Sequence, residues 1–181
     1  GLHRRGYRAQ AGEAPLRENL AAGILLRAGW PEKCANAAEF LDPMCGSGTL
    51  VIEAAMIAAQ VAPNARRHYF GFFGWPGHDR TAWEALKREA LARERKPALE
   101  LRGLDVDGAV LQAARENAAR AGLAELVGFE QGRFATARPR GTAPGFLATN
   151  PPYGVRLEDR DTARALMKDL GGVLREHFRG W

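Results

Sequence analysis

Residues 42 to 49 read DPMCGSGT and follow a short apolar segment that predicts a strand. Gly46 and Gly48 let the backbone pass close to a ligand, the start of the next helix offers free N–H groups, and Asp42 supplies a carboxylate. A plain tight turn has the same appearance. A phosphate-binding P-loop is disfavoured because no Gly-Lys-Ser/Thr follows, and a dinucleotide fingerprint is disfavoured because Val51 stands where its third glycine belongs. From the residues alone, the segment is either a plain turn or a loop that holds a nucleotide-like ligand by other means.

A second acidic motif, GLDVD at residues 103 to 107, ends the next predicted strand. A carboxylate at this place can accept hydrogen bonds from both hydroxyls of a ribose. Asp107 also fits the N-cap of the helix that follows, because Asp accepts bonds from the first free N–H groups of a helix. We therefore assign the ribose contact to Asp105.

The third motif, NPPYG at residues 150 to 154, directly follows a short apolar strand. Two consecutive prolines remove N–H donors and stiffen the turn, which leaves carbonyl oxygens as fixed acceptors. Asn150 adds a side-chain carbonyl, and Tyr153 adds a ring on which a flat group can stack. We interpret the motif as an acceptor-rich clamp for an amino group on a planar ring system.

These motifs need a scaffold in which strands and helices alternate, and the apolar periodicity predicts one. Such alternation indicates a parallel three-layer α/β sheet, which binds ligands beyond the carboxyl ends of its strands. The predicted strands are 39–41, 99–104, 126–130 and 146–149, and the predicted helices are 15–28, 49–62, 80–96, 107–121 and 161–178.

The composition narrows the class of protein. A chain of 181 residues with 46% hydrophobic residues is the size of one globular domain with a real core. Two cysteines, Cys34 and Cys45, are too few for a disulfide scaffold and are typical of reduced thiols in a cytoplasmic protein. The longest apolar run, 50–59, contains Glu53 and is shorter than the roughly 20 residues that span a bilayer. We expect a soluble, cytoplasmic protein that binds no membrane.

The charge suggests a polyanionic partner. The net charge is +5 and the pI is about 9.7, with Arg supplying most of the cations. Arg suits phosphates and base edges, although an Arg-rich genome would give the same numbers. Arg4, Arg5 and Arg8 are candidates for phosphate contacts, or else belong to a solvated linker.

Residues 63–79 are rich in Gly, Pro and aromatic side chains and predict an irregular connection. The rings could stack on RNA bases beside Arg66 and Arg67. We favour packing over the sheet edge, and we expect Asp79 to cap the next helix rather than to act with His78 as an acid or base. The aromatic residues are Tyr69, Phe70, Phe72, Phe73 and Trp75.

Taken in order, DPMCGSGT, GLDVD and NPPYG resemble the motifs of class I methyltransferases that transfer a methyl group from S-adenosylmethionine (SAM) to amino nitrogens. HRRGYR, APLRENLAA and FGFFGWPGHD further resemble the RlmL-type, THUMP-associated family of bacterial 23S rRNA guanine-N2 methyltransferases. The resemblance covers essentially the whole chain. It implies a Rossmann-like fold with an N-terminal basic segment and helix at 1–36 and a methyltransferase core at 37–181. The family sheet has seven strands, so we expect a core that is truncated after the fourth.

The resemblance also implies roles for individual residues. Asp105 would hold the ribose of SAM, with Val106 beside it, and Arg133 stands where the family often has an Asp that contacts the adenine amine. Arg cannot accept a hydrogen bond, so adenine recognition would depend on backbone groups or on stacking. Asn150 would contact the cofactor and, with Pro151, would orient the acceptor amine next to it. Tyr153 would stack on the base. The methionine end would be lined by Asp42, Pro43, Gly46, Ser47, Gly48 and Thr49.

The activity implied is methyl transfer to the N2 amine of guanine in 23S ribosomal RNA, with no metal. Adenine-N6 methylation of nucleic acid and N5 methylation of a protein glutamine are alternatives, because NPPY serves those acceptors too. A non-catalytic RNA-binding module is an alternative of another class. We expect an RNA-binding domain elsewhere in the parent chain, and lower stability and activity for this piece alone.

Overall fold

The computed structural model describes residues 5–8, 16–36, 38–152 and 160–181. Within these residues four parallel strands form one sheet in the order β3-β2-β1-β4. The predicted parallel α/β sheet is confirmed, and each strand lies within two residues of its predicted limits. The strands are β1 (Phe40–Asp42), β2 (Leu101–Asp105), β3 (Val127–Gln131) and β4 (Phe146–Leu147).

Each predicted helix is present, with ends shifted by a few residues. Asp79 and Asp107 cap helices as predicted, since their carboxylates accept from the backbone N–H groups of Ala82 and Ala109 at 2.9 and 2.8 Å. The helices are α1 (Glu18–Arg27), α2 (Trp30–Ala35), α3 (Thr49–Ala58), α4 (Arg80–Ala92), α5 (Gly108–Arg120) and α6 (Arg160–His177), with 3₁₀ turns at Gly71–Gly74 and Phe134–Thr136.

The short helix α2 was not predicted, because six residues carry too little periodicity to identify it. Tertiary contacts hold it in place. Trp30 is fully buried, its indole N–H donates to the Ala54 carbonyl at 2.9 Å, and its ring lies 5.1 Å from Phe40 and 5.3 Å from Phe146. The packing of one tryptophan therefore fixes α2 against α3 and the sheet.

The helices form layers on both faces of the sheet, as the three-layer prediction requires. One face packs against α1, α3 and α5 around buried Leu25, Ile52 and Leu111. The other face buries Leu41 and Leu104 beneath the end of α6. Helix α3 is buried almost throughout because it lies between α1 and the strands, so the glycine loop before it is mounted on the most buried helix.

A buried ion pair joins the sheet to the loop before β4. The guanidinium of Arg102 on β2 contacts the Glu39 carboxylate at 2.6 Å, and the exposed fractions of the two side chains are only 4% and 6%. The other Glu39 oxygen accepts from the backbone N–H groups of Arg140 and Gly141, at 2.9 and 3.3 Å. The carboxylate thus satisfies one buried cation and two backbone donors.

No helix in the described ranges is long and apolar enough to cross a bilayer.

Candidate active site

The described residues of the three predicted motifs lie at the carboxyl ends of β1, β2 and β4. Parallel register pairs Asp42 with Gly103 and Leu41 with Leu147, so Asp105 and Asn150 both lie at about the level of Met44, where the glycine loop begins. The chain moves to one side of β1 for β2 and β3 and to the other side for β4. Such a switch point opens a crevice at the carboxyl edge, where α/β sheets bind their ligands.

Backbone hydrogen bonds fix the glycine loop to the end of β2. The Cys45 N–H donates to the Leu104 carbonyl at 2.8 Å, and the Gly46 N–H donates to Oδ2 of Asp105 at 2.9 Å. Gly46 and Gly48 have φ values of +53° and +83°, in the left-handed region that favours glycine. The loop and the carboxylate therefore form one pre-organised unit.

The two loop glycines differ in their surroundings. A Cβ on Gly48 would lie 2.8 Å from the Phe129 ring and 3.1 Å from Ala114, so this glycine lets α3 and α5 pack. A Cβ on Gly46 would meet no atom within 4 Å. The position of a Gly46 Cβ is therefore open space beside Asp105, which a side chain would fill.

We expect Gly46→Ala and Gly48→Ala to separate ligand binding from folding. Overpacking costs about 1–3 kcal/mol, so Gly48→Ala should lower the free energy of unfolding by about that much more than Gly46→Ala does. Gly46→Ala should instead weaken binding of the demethylated cofactor S-adenosylhomocysteine (SAH) about tenfold or more. Urea unfolding and calorimetric titration measure the two effects. If Gly46→Ala lost no more free energy of SAH binding than free energy of unfolding, the open space beside Asp105 would not be part of the ligand site.

Asp105 retains acceptor capacity after its structural bonds. Oδ1 accepts from the Asp107 N–H at 3.1 Å and Oδ2 from the Gly46 N–H, which leaves a lone pair on each oxygen for two hydroxyls. Next to it the Val106 side chain is 62% exposed, and its carbonyl accepts from Nε2 of Gln131 at 3.0 Å. An exposed apolar side chain beside an acceptor pair suits the face of an adenosine.

Asp42 lies beneath the loop, fully buried, and its Oδ1 accepts from the Met44 N–H at 3.1 Å. Burial raises the pKa of Asp42 to about 7, the neighbouring Thr149 hydroxyl and the Met44 N–H oppose this rise, and the charge of Asp105 adds to it. The carboxyl group is therefore poised to lose a proton when a cation approaches.

The remaining predicted residues surround this centre. Pro43 is fully buried, Ser47 is half-buried, and Asn150 is exposed directly after β4 with Pro151 half-buried beside it. Tyr153 lies outside the described residues. Arg133 is exposed one residue after Gly132, whose N–H donates to the Asp105 carbonyl at 2.9 Å, so its loop borders the ribose carboxylate.

Asn117 of α5 supports the loop and was missed by the sequence reasoning. Its buried Nδ2 donates to the Ser47 carbonyl at 3.0 Å, and its Oδ1 accepts from Arg120 at 2.7 Å. The Nε of Arg120 in turn donates to the Tyr7 carbonyl at 2.7 Å. A polar residue on the apolar stripe of α5, three residues beyond Ala114, was the available signal.

The N-terminal segment contributes the second missed feature. Arg8 donates to the hydroxyl of Thr49, the first residue of α3, and to the Leu16 carbonyl, while its Nε is buried without a partner among the described residues. Arg5 pairs with buried Glu53 at 3.4 Å and so is not a free phosphate contact. Burial raises the pKa of Glu53, and the Arg5 charge opposes this rise.

The electrostatics of the loop fit a ligand with groups of both signs. The guanidinium of Arg8 and the uncapped N-terminus of α3 are positive, whereas Asp42 and Asp105 supply carboxyl groups across the loop. SAM carries a carboxylate, an ammonium group and a ribose diol, so the side chains match its polar groups in number and sign.

Other chemistries have less support within the described ranges. They contain no group of three or more His, Cys, Asp or Glu residues that could hold a metal ion. Burial raises the pKa of the Cys45 thiol far above its usual range, which keeps the thiol protonated. Cys45 therefore packs against the sheet as a small side chain rather than acting as a nucleophile.

The fold and the site together define the class of protein as a Rossmann-like class I methyltransferase. The defining features are the parallel sheet of order β3-β2-β1-β4, the glycine loop after β1, the acid that ends β2 and the Asn-Pro-Pro after β4. The chain belongs more narrowly to the RMKL-like methyltransferase domain family, which it matches over residues 5–181. The predicted Rossmann-like fold and the predicted family are both confirmed.

Relatives of known name agree with this assignment. The chain is 48% identical over 185 residues to a ribosomal RNA large subunit methyltransferase K/L of Methylococcus capsulatus (strain Bath). It is 50% identical over 186 residues to the K/L enzyme of Syntrophotalea carbinolica. These alignments cover 99% of the chain but only 25% and 26% of the two relatives. The chain therefore spans about a quarter of their length.

Solved structures share the fold. SMU.472, crystallised in complex with SAH, superposes with a TM-score of 0.83 at 38% identity over 96% of this chain and 44% of that one. A protein from Listeria monocytogenes, described as a predicted N6-adenine-specific DNA methylase, gives a TM-score of 0.85 at 36% identity. That alignment covers 98% of this chain and 45% of the other.

Proposed function

We propose that this domain transfers a methyl group from SAM to the exocyclic N2 amine of guanine in 23S ribosomal RNA. The observation that carries the proposal is the position of Asn150 and Pro151, exposed and half-buried, at the same sheet edge as the glycine loop and Asp105. The names of the K/L relatives support ribosomal RNA as the substrate class.

The acceptor amine must be reoriented before it can react. Its lone pair is delocalised into the purine ring, so Asn150 Oδ1 and the Pro151 carbonyl would accept its two hydrogens and turn the lone pair toward the cofactor. Pro151 and Pro152 have no N–H groups to compete for these acceptors. Tyr153 would stack on the extruded base, and most of the rate enhancement would come from positioning.

The chain would hold SAM through the loop described above. Asp105 would bind the ribose hydroxyls, Asp42 would face the ammonium group, and Arg8 would pair with the carboxylate. When bound, SAM supplies an electrophilic methyl group on a positive sulfur, so the residues need only align the acceptor with it. Arg133 would leave the adenine amine to backbone acceptors.

Labelled methyl transfer tests the acceptor directly. We expect incorporation from SAM into 23S rRNA, at N2 of guanine by mass mapping, and little into DNA or a release factor. Adenine-N6 methylation is the second candidate, because the Listeria structure carries that description. Label appearing as N6-methyladenine would replace guanine as the acceptor, and absence of any SAH binding by the folded chain would favour a non-catalytic RNA-binding module.

Cofactor binding should be coupled to ionisation of Asp42. With a pKa of about 7, roughly half of the Asp42 carboxyl is protonated at neutral pH, and a bound ammonium group favours the charged form. Binding should therefore release about half a proton at pH 7, and SAM affinity should fall as pH drops below 7.

Calorimetric titrations in phosphate and in Tris measure this release from the difference in binding enthalpy. Asp42→Asn is the control, because an amide cannot titrate. The same proton release in the variant and the parent chain would remove Asp42 from this role.

A further inference from the structure

Residues 66–96, here called the basic aromatic insertion, connect α3 to β2 and contribute no side chain to the two core clusters on the faces of the sheet. Helix α4 within it has no buried residue. The rings of Phe70, Phe72 and Phe73 pack on Trp83 of α4, with centroids 5.0, 5.1 and 6.0 Å away. The aromatic side chains thus build a small rigid platform on α4.

Two aromatic rings of the insertion do not pack against Trp83. Trp75 is 70% exposed and Tyr69 is 64% exposed, and the Tyr69 ring meets Phe73 only edge-on, at 5.9 Å. The guanidinium of Arg67 lies 5.2 Å from the centroid of Phe70. Exposed rings on a fixed support, with an arginine beside them, form a surface that can stack flat groups.

The charge of the insertion selects the kind of flat group. Its sequence has eight Lys and Arg against four Asp and Glu, a net +4 of the chain's +5. Arg80, Lys87 and Arg88 have no acidic partner within the described residues and recur at i, i+7 and i+8, on one side of α4. Trp83, at i+3, lies on the same side and joins this basic stripe to the ring platform.

We propose that the basic aromatic insertion binds a single-stranded stretch of the RNA substrate, with Trp75 and Tyr69 stacking on bases and the cations of α4 contacting phosphates. This inference rests on the proposed function for its choice of RNA. Proteins that grip single strands combine a cationic track with exposed rings in this way. The insertion carries a net charge of +4 and the rest of the chain +1. A purely apolar protein partner would not require this concentration of positive charge.

The insertion is attached to the fold at the end of α3, away from the carboxyl ends of the strands. Helix α3 starts at the carboxyl edge of the sheet and ends at the opposite edge, where the insertion is anchored by Arg95. The Arg95 N–H donates to the Ala59 carbonyl at 3.0 Å, and its Nε donates to the Ala58 carbonyl at 3.1 Å. The insertion is thus anchored at the sheet edge opposite Asn150, and we expect it to raise RNA affinity without altering the methyl-transfer step.

The test uses the full chain and a labelled single-stranded RNA of about 12 nucleotides, within the site size of such grooves. We expect Trp75→Ala to weaken binding about fivefold or more, since one stacked base contributes about 1–3 kcal/mol. Lys87→Gln with Arg88→Gln should also weaken it and flatten the dependence of log Kd on log salt. Leu86→Ala, 60% exposed on the same helix, and Arg27→Gln on α1 are the matched controls.

Two further measurements keep the proposal falsifiable. Trp75→Phe should restore affinity, because it keeps a ring, and the free energy of unfolding should be unchanged in both variants, whereas a merely structural role predicts an unfolding defect in Trp75→Ala. In methylation assays Trp75→Ala should raise KM for RNA and leave kcat and SAH affinity unchanged. RNA affinity equal in Trp75→Ala and Leu86→Ala would overturn the inference even if rRNA is methylated. Ring-dependent RNA binding without rRNA methylation would support the inference and overturn the proposed function.

Discussion

Asn150→Ala is expected to lower the rate of methyl transfer to rRNA by roughly 10²–10³, the scale on which one positioned polar group acts in a reaction centre. The substitution removes one of the two acceptors that hold the amine hydrogens. Asn150 is exposed after β4, and its side chain has no hydrogen bond within the described residues, so folding does not depend on it. Single-turnover methylation at saturating SAM measures the loss.

The control variants make the result specific to the acceptor oxygen. Asn150→Asp keeps an oxygen acceptor and should retain more activity than Asn150→Ala, while Asn19→Ala, an exposed Asn on α1, should have no effect. The Kd for SAH should change less than about twofold, because Asp42, Asp105 and the loop are untouched. Turnover by Asn150→Ala within tenfold of the parent chain would remove Asn150 from the chemistry.

Glu39→Ala is expected to cost about 3–5 kcal/mol in the free energy of unfolding, because it leaves a buried guanidinium without a counterion. Arg102 is 3% exposed, and Glu39 is its one acidic contact among the described residues. The substitution also removes the acceptor for the Arg140 and Gly141 N–H groups. Urea denaturation followed by circular dichroism measures the change.

A surface ion pair gives the comparison. Glu89 pairs with Arg93 one turn away on α4, with exposed fractions of 58% and 67%, so Glu89→Ala should cost no more than about 0.5 kcal/mol. Glu39→Gln keeps an acceptor and should fall between the two alanine variants. A cost below about 1 kcal/mol for Glu39→Ala would mean that water reaches Arg102 readily.

Local sequence patterns were sufficient to predict most of the secondary structure. In the described part of the chain, alternating apolar segments and turn residues predicted all four strands, five of the six helices and both Asp caps. These features depend on residues a few positions apart. The order of motifs at strand ends predicted that DPMCGSGT, Asp105 and Asn150 share one sheet edge, since parallel strands bring their carboxyl ends together. The family resemblance rested on the same segments.

The supports of the site came only from tertiary structure. Arg8 meets Thr49 across 41 positions, Asn117 meets Ser47 across 70, and Arg102 meets Glu39 across 63. No local pattern encodes such pairs, because each depends on how whole helices and strands pack. The burial that raises the pKa of Asp42 to about 7 has the same origin. The sequence by itself thus determined which residues stand at the strand ends, and packing decided their charge, their partners and their rigidity.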